Sequence, residues 1–284
     1  MIAQTKRKGI EHFEKLSVGK FVEIALSLLK EKRIKASVKV DGAGVRFGKD
    51  AHGNFFFESS KSGIVTEYGH FKQFALANDR NLTLAMHYDE MFKLFKQSTL
   101  WKSLPPDTKI VGEILYNPLA SVESGERLKF VTIAYPKKYL GEVATFIPFT
   151  AIRASTGESL SNANEILDNL IKMSNNKLKV LSADIGHVDF DVEALLEPLK
   201  KTDTEELTKL VKSRKKEDVE KKALLVELIN NIKLKFVEAI RTHKGLNDKI
   251  EALLGKDVEG LVIEVGERKV KIVTAQYTND KFGN

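Results

Sequence analysis

No cysteine occurs among the 284 residues. Disulfides and thiolate metal sites are therefore excluded, and the composition suits a reducing compartment. No apolar run approaches the roughly 18 residues that a membrane span needs. The first hydrophobic stretch lies inside an amphipathic pattern and lacks a small-residue cleavage site, so no secretory signal is expected and the chain reads as cytoplasmic. Internal repeats and low-complexity segments are missing too. The glycines of GAGVRFG (Gly42, Gly44, Gly48) do not fit G-x-G-x-x-G, and no helix is expected after them, which removes a dinucleotide fold and a P-loop.

What is present is an ordinary soluble composition, 42% hydrophobic and 30% charged, with length for one large or two modest domains. The formal charge of +7 suits a polyanionic partner such as nucleic acid, though a lysine-rich surface also keeps a protein soluble. Two basic stretches stand out. Lys6, Arg7 and Lys8 form a patch near the start. Lys212, Arg214, Lys215, Lys216, Lys221 and Lys222 are interleaved with Glu217, Asp218 and Glu220, a pattern that serves a phosphate clamp or a solvated helix face with i,i+4 pairs.

Hydrophobic periodicity sketches the elements. Ser17 caps an expected helix with Phe21, Ile24, Ala25, Leu28 and Leu29 on one side. VRFG and NFFFESS read as a hairpin around Asp50 and Gly53. Tyr88, Met91, Phe92, Leu94 and Phe95 make a helical core stripe closed by Trp101. KIVGEIL, LKFVTIAY and VATFIPF read as strands. SNANEILDNLIKM, DVEALLEPLKK and DTEELTKLVK read as short helices. A long helix follows, with Leu225, Leu228, Ile229, Ile232, Phe236 and Ile240 on one face and Gly245 at its end. EGLVIEV and RKVKIV close the chain as a hairpin that puts Lys269 and Lys271 on one side.

One lysine is placed for chemistry. Lys39 precedes Val40, Asp41 and Gly42 at an expected strand end beside a tight turn. An ordinary lysine, with pKa about 10.4, is almost wholly protonated at neutral pH, so a nucleophilic one needs neighbours that favour the amine. Glu113, in an apolar strand, is costly to bury unless paired. Lys269 and Lys271 repel each other and call for an anion nearby.

Six fragments in fixed order resemble the motifs of the covalent nucleotidyltransferases, the superfamily of ATP-dependent DNA ligases, RNA ligases and mRNA-capping enzymes. They are KVDG at Lys39, ESSKSG from Glu58 to Gly63, VGEIL at Glu113, TFIPFTAI at Phe146 and Phe149, EGLVI at Glu259, and KVKIV at Lys269 and Lys271. The resemblance implies an α+β fold, a ligase-type adenylation domain on antiparallel sheets with a helical insert. It divides the chain into a first part of the core (1–154), the insert (155–250) and the closing strands (251–284). It also implies ATP and Mg2+ (or Mn2+). Lys39 would attack the α-phosphate, giving a lysyl-AMP, with Lys269 and Lys271 neutralising that phosphate. Glu259 would orient the lysine and hold the metal. Asp41, Gly42, Lys61, Glu113 and Phe146 would bind the nucleotide, Phe146 stacking on adenine while Phe149 supports the sheet.

Departures point within the superfamily. The first motif of DNA ligases usually ends in Arg where Gly44 stands, Arg46 being out of register. Lys61 replaces the usual Arg, and Thr150 a frequent Asp. The chain also ends soon after its last motif, where DNA ligases continue into an OB-fold domain. The pattern resembles bacteriophage RNA ligases most, which implies joining of 5'-phosphate to 3'-hydroxyl ends, RNA slightly ahead of DNA, in the cytoplasm, or the host cytoplasm if the chain is phage-encoded. Transfer to another acceptor and a degenerate nucleic-acid-binding module remain the alternatives.

Overall fold

Strands form where β-branched and aromatic residues alternate with small or polar ones, and helices where the apolar period lengthens to three or four. In the computed structural model, residues 10–31, 33–40, 42–59, 63–80, 82–116, 144–189, 191–200, 204–213, 215–254, 259–266 and 268–273 are described. The strands are β1 (Glu11–His12), β2 (Arg33–Lys39), β3 (Ala43–Lys49), β4 (Phe55–Ser59), β5 (Gly63–Val65), β6 (Thr108–Leu115), β7 (Ala144–Arg153), β8 (Leu178–Val180), β9 (Asp184–Asp189), β10 (Gly260–Val265) and β11 (Arg268–Val273). The helices are α1 (Val18–Glu31), α2 (His70–Ala77), α3 (Leu82–Gln97), α4 (Ala163–Lys172), α5 (Val192–Lys200), α6 (Thr204–Lys212), α7 (Val219–Thr242) and α8 (Lys244–Leu254). The result is an α+β protein whose sheets are mainly antiparallel. Among the described residues, no helix is long and apolar enough to cross a membrane.

The chain divides into two units. One contains Val40–Ala183 and a six-stranded sheet in the order β5-β4-β3-β6-β7-β8. One face of that sheet, carrying Val45, Phe47, Phe55, Phe57, Ile110 and Ile114, is buried with Met91, Phe92 and Phe95 of α3 in a single apolar cluster. The helical stripe read from the sequence is thus core. Asp89, on the same helix, accepts the backbone N–H groups of Gly69, Phe71 and Lys72 and so caps α2. Burial pushes its carboxyl above the usual range, and those three N–H bonds act against the shift.

Lys8–Lys39 and Asp184–Asn284 make the other unit, with a five-stranded sheet in the order β1-β11-β10-β2-β9. Ile34, Ala36 and Val38 of β2, Leu261 and Ile263 of β10, and Val270 and Ile272 of β11 are buried. Strand alternation sends Lys35, Ser37 and Lys39 to the opposite face. Helix α1 packs on β2 and β10, its start capped by Ser17, whose Oγ accepts the Lys20 N–H.

Against the sequence division at 154 and 250, α4 and β8 lie in the first unit, and the helices from α5 to α8 lie with β2, β10 and β11 in the second. The long helix ends at Thr242, so Gly245 is not its terminator. His243 ends it and starts the next: Nδ1 accepts the Leu246 N–H at 3.1 Å and its carbonyl accepts the Asn247 N–H at 3.0 Å. An imidazole nitrogen satisfies a helix N-terminus as a serine oxygen would. The strand LKFVTIAY, the Lys6–Lys8 patch and Arg214 lie outside the described residues.

Candidate active site

Antiparallel pairing of β2 and β10 sets Lys39 opposite Gly260, and β10 opposite β11 sets Val262 against Lys271. Glu259 is the residue immediately before β10, beside the end of β2. Its Oε2 accepts a hydrogen bond from Lys39 Nζ at 2.5 Å, and its Oε1 lies 3.9 Å from Lys271 Nζ. Three residues from three sequence fragments thus meet in one cluster. The Glu259 side chain is 6% exposed, and those of Lys39 and Lys271 are 18% and 19%. The carboxylate is stabilised by two cations while Lys39 keeps a proton acceptor within hydrogen-bond reach.

Lys269 belongs to the same strand face but not to this cluster. It stands opposite Glu264, binds Glu264 Oε1 at 2.5 Å and is 56% exposed. On the other side of Glu264, Lys35 lies 3.8 Å from both Glu264 and Asp184. Strand β11 is no bare edge: β1 runs parallel to it, with His12 opposite Lys271.

The first unit carries the remaining candidates that are described. Glu113 sits on β6 opposite Gly44, is 5% exposed, and its Oε2 lies 3.4 Å from the Gly42 backbone N–H. It shares the sheet face opposite the apolar cluster with Arg46, Glu58 and Lys109. These three form an ion network that the motif reading passed over. Glu58 accepts from Arg46 Nη1 at 3.2 Å and from Lys109 Nζ at 2.8 Å, all three essentially buried. A signal existed in the sequence: charged residues at alternate positions within apolar strand runs. Lys109 and Glu113 take one side of β6 while Ile110 and Ile114 take the other. Asp41 and Lys61 lie outside the described residues.

Phe146 corrects the expectation of a stacking aromatic. It is fully buried in the apolar cluster, with ring centroids 5.5 Å from Phe47 and 5.2 Å from Phe95. A Cβ on Gly112 would come 2.6 Å from its ring, so glycine is what admits it. Pairing sets Phe146 opposite Ile114 on the core side, while Glu113 pairs with Ile147 on the other. A register shift between Val111 and Gly112 then alters the alternation, and Phe149, in that irregular stretch, is partly exposed.

Among the described residues no group of three or more His, Asp or Glu side chains could cage a metal ion. Magnesium commonly binds through only one or two carboxylates together with substrate phosphates, so a single carboxylate such as Glu259 is compatible with that mode.

No family model and no curated protein sequence matches the chain. Its structural neighbours are RNA ligases and an ATP-dependent DNA ligase. An RNA ligase variant from Naegleria gruberi with ATP and Mn is 12% identical with a TM-score of 0.49, over 99% of this chain and 59% of that one. A putative ATP-dependent DNA ligase from Aquifex aeolicus is 14% identical with a TM-score of 0.34, over 88% and 64%. An archaeal ATP-dependent RNA ligase is 14% identical with a TM-score of 0.25, over 98% and 81%. The chain thus spans less than two thirds of the length of the first of these.

Proposed function

We propose that this protein is an ATP-dependent nucleic-acid ligase that works through a lysyl-AMP on Lys39. The observation that carries the reading is the Lys39–Glu259–Lys271 cluster, in which residues 220 positions apart in sequence come within 2.5 Å. Three of the six motifs, found in order in the sequence, supply its members.

In the first step Lys39 Nζ attacks the α-phosphorus of ATP. A nitrogen–phosphorus bond forms, the bond to the bridging oxygen breaks and pyrophosphate leaves; Nζ gives up one proton to become the attacking amine and a second as the phosphoramidate forms, and keeps the third. Glu259 Oε2, the acceptor at 2.5 Å, is the base positioned to take a proton from that nitrogen. Lys271 Nζ offers positive charge where the phosphate oxygens gain negative charge. Lys269, paired to Glu264 and more exposed, contributes longer-range charge. A divalent cation, Mg2+ or Mn2+, supplies further charge at the phosphates, and Glu259 is the carboxylate that would hold it.

The nucleotide-binding roles of Asp41, Gly42, Lys61 and Glu113 belong to the same proposal. Motif order supports them all, and the burial of a carboxylate in an apolar strand supports Glu113. The AMP then passes to a 5'-phosphate end, and a 3'-hydroxyl displaces it to seal the strand. RNA ends are favoured over DNA by the departures at Gly44 and Lys61, and the setting is the cytoplasm.

The test is joining of 5'-phosphorylated single strands and nicked duplexes, RNA and DNA, with ATP and Mg2+. Sealed product that needs both the 5'-phosphate and Lys39 supports the proposal. Lys39-dependent nucleotide labelling with no sealing of any end contradicts the ligase part and leaves transfer to another acceptor.

A further inference from the structure

Helix α7 has a lysine in the wrong place for a solvated charge. Ile229, Ile232, Phe236, Val237 and Ile240 form its buried stripe, and Lys233 falls inside that stripe, 5% exposed. Its Nζ donates to the backbone carbonyl of Leu16 at 2.5 Å and lies 5.6 Å from the centre of the Phe21 ring. Beside this bond, Phe13 stacks on Phe236 with centroids 4.7 Å apart and meets Phe21 edge-on at 5.7 Å. Arg241, near the end of the same helix, lies 3.9 Å from Glu14. Segment 13–16 is therefore held by α7 at three points along its length.

The two residues before that segment are β1. They pair in parallel with β11, Glu11 opposite Val270 and His12 opposite Lys271. A two-residue strand makes few ladder bonds and cannot hold its own register, so what fixes β1 is the anchored stretch that follows. Lys20 Nζ, donating to Glu11 Oε1 at 2.5 Å, ties β1 to α1 as well. A continuous path thus runs from Lys233 through Leu16 and Phe13 to His12, and from His12 to Lys271, the second cation on Glu259.

We infer that residues 11–16 are a strap that sets the position of β11, and that Lys233 is a positioning residue for Lys271. A charged side chain is costly in an apolar stripe, and a carbonyl just ahead of α1 is costly if left without a donor. Here each satisfies the other. A methionine would fill the space without burying a charge but would leave the Leu16 carbonyl without this donor, so the bond itself explains a lysine at this place. The helices read from the sequence as an insert thereby acquire a structural role, since α7 holds one side of the sheet that bears the cluster. Because a displacement of about 1 Å at a reacting group can cost about a hundredfold in rate, a loosened strap acts on catalysis without touching the nucleotide. The role of Lys271 in this inference rests on the proposed nucleotidyl transfer, whereas the strap itself does not.

The experiment compares wild type, Lys233→Met and Ile250→Ala, the last a buried residue of α8, outside the 11–16 segment. Amide hydrogen exchange and the rate of AMP-adduct formation over a range of ATP concentrations are measured on the full chain. Lys233→Met is expected to raise exchange at least tenfold for the Glu11–Leu16 amides and the β1-facing amides of β11, relative to those of β2. The rate at saturating ATP falls tenfold or more, with half-saturation changed by less than twofold. Ile250→Ala loosens the unit without that pattern. Unchanged exchange at the strap, or loosening as general as in Ile250→Ala, overturns the strap. Selective loosening with an unchanged rate overturns the positioning of Lys271. A wild type that forms no adduct refutes the nucleotidyl-transfer reading and the role of Lys271 with it, and the exchange pattern still decides whether the strap exists.

Discussion

Lys39 and Glu259 are joined by a 2.5 Å hydrogen bond because β2 and β10 pair with Lys39 opposite Gly260, which leaves Glu259 beside the end of the neighbouring strand. Under the proposed mechanism, loss of the acceptor removes both the partner that orients Lys39 and the base next to it. Glu259→Gln is expected to slow AMP-adduct formation about a hundredfold or more, measured by single-turnover labelling. A rate within threefold of wild type would remove Glu259 from the mechanism.

The two lysines of β11 should separate. Lys271→Ala deletes a cation from the Glu259 cluster and is expected to slow adduct formation about a hundredfold, the range for removing one preorganised group that meets developing charge. Lys269→Ala removes an exposed side chain already paired to Glu264 and should cost less than about tenfold by the same measure. Equal losses would mean that both face the phosphate.

The network around Glu58 concerns stability. Glu58→Gln leaves Arg46 and Lys109 as buried cations without their shared carboxylate and should destabilise the first unit by about 3–5 kcal/mol. Urea unfolding measures it. A change below about 1 kcal/mol would show that water reaches the network.

Phe146→Ala opens a cavity among Phe47, Phe95 and Gly112 and should cost about 3–5 kcal/mol, against about 1 kcal/mol or less for the partly exposed Phe149. The reverse order in urea unfolding would return Phe146 to the surface.

Lys233 gives a pH dependence. Burial lowers its pKa in the folded protein below the ordinary lysine value near 10.5. Between those two values the unfolded chain binds more protons, so stability rises with pH across that window. Wild type should therefore gain stability relative to Lys233→Met as pH is raised through the alkaline range toward 10.5. A difference that stays flat, or falls, would mean that Lys233 keeps its charge at no cost.

The sequence made some of this legible and not the rest. Strand alternation predicted which way Lys269 and Lys271 face, and motif order brought Lys39 and Glu259 together as candidates for one site. Alternation does not say which carboxylate each lysine meets; the ladder register does, and it puts Lys269 one row away, opposite Glu264. For Phe146 the motif letter suggested a base-stacking ring. Its pairing with Ile114 and the gap that Gly112 leaves for its ring turn it into the core. Lys233 went unread in the sequence although it stands four residues after Ile229 in the apolar stripe; its partner is a backbone carbonyl 217 residues away, which no side-chain pattern announces. Gly245 misled because a helix-ending glycine and a glycine in the first turn of the next helix look alike until His243 is seen capping α8.

The most direct measurement is incubation with α-labelled ATP and Mg2+, followed by denaturing gel, intact mass and peptide mapping, on wild type and Lys39→Ala. A lysyl-AMP mechanism predicts a single acid-labile AMP adduct in wild type, mapped to Lys39 and missing from the variant. An adduct that persists in Lys39→Ala, or none in wild type with any nucleotide, would contradict it.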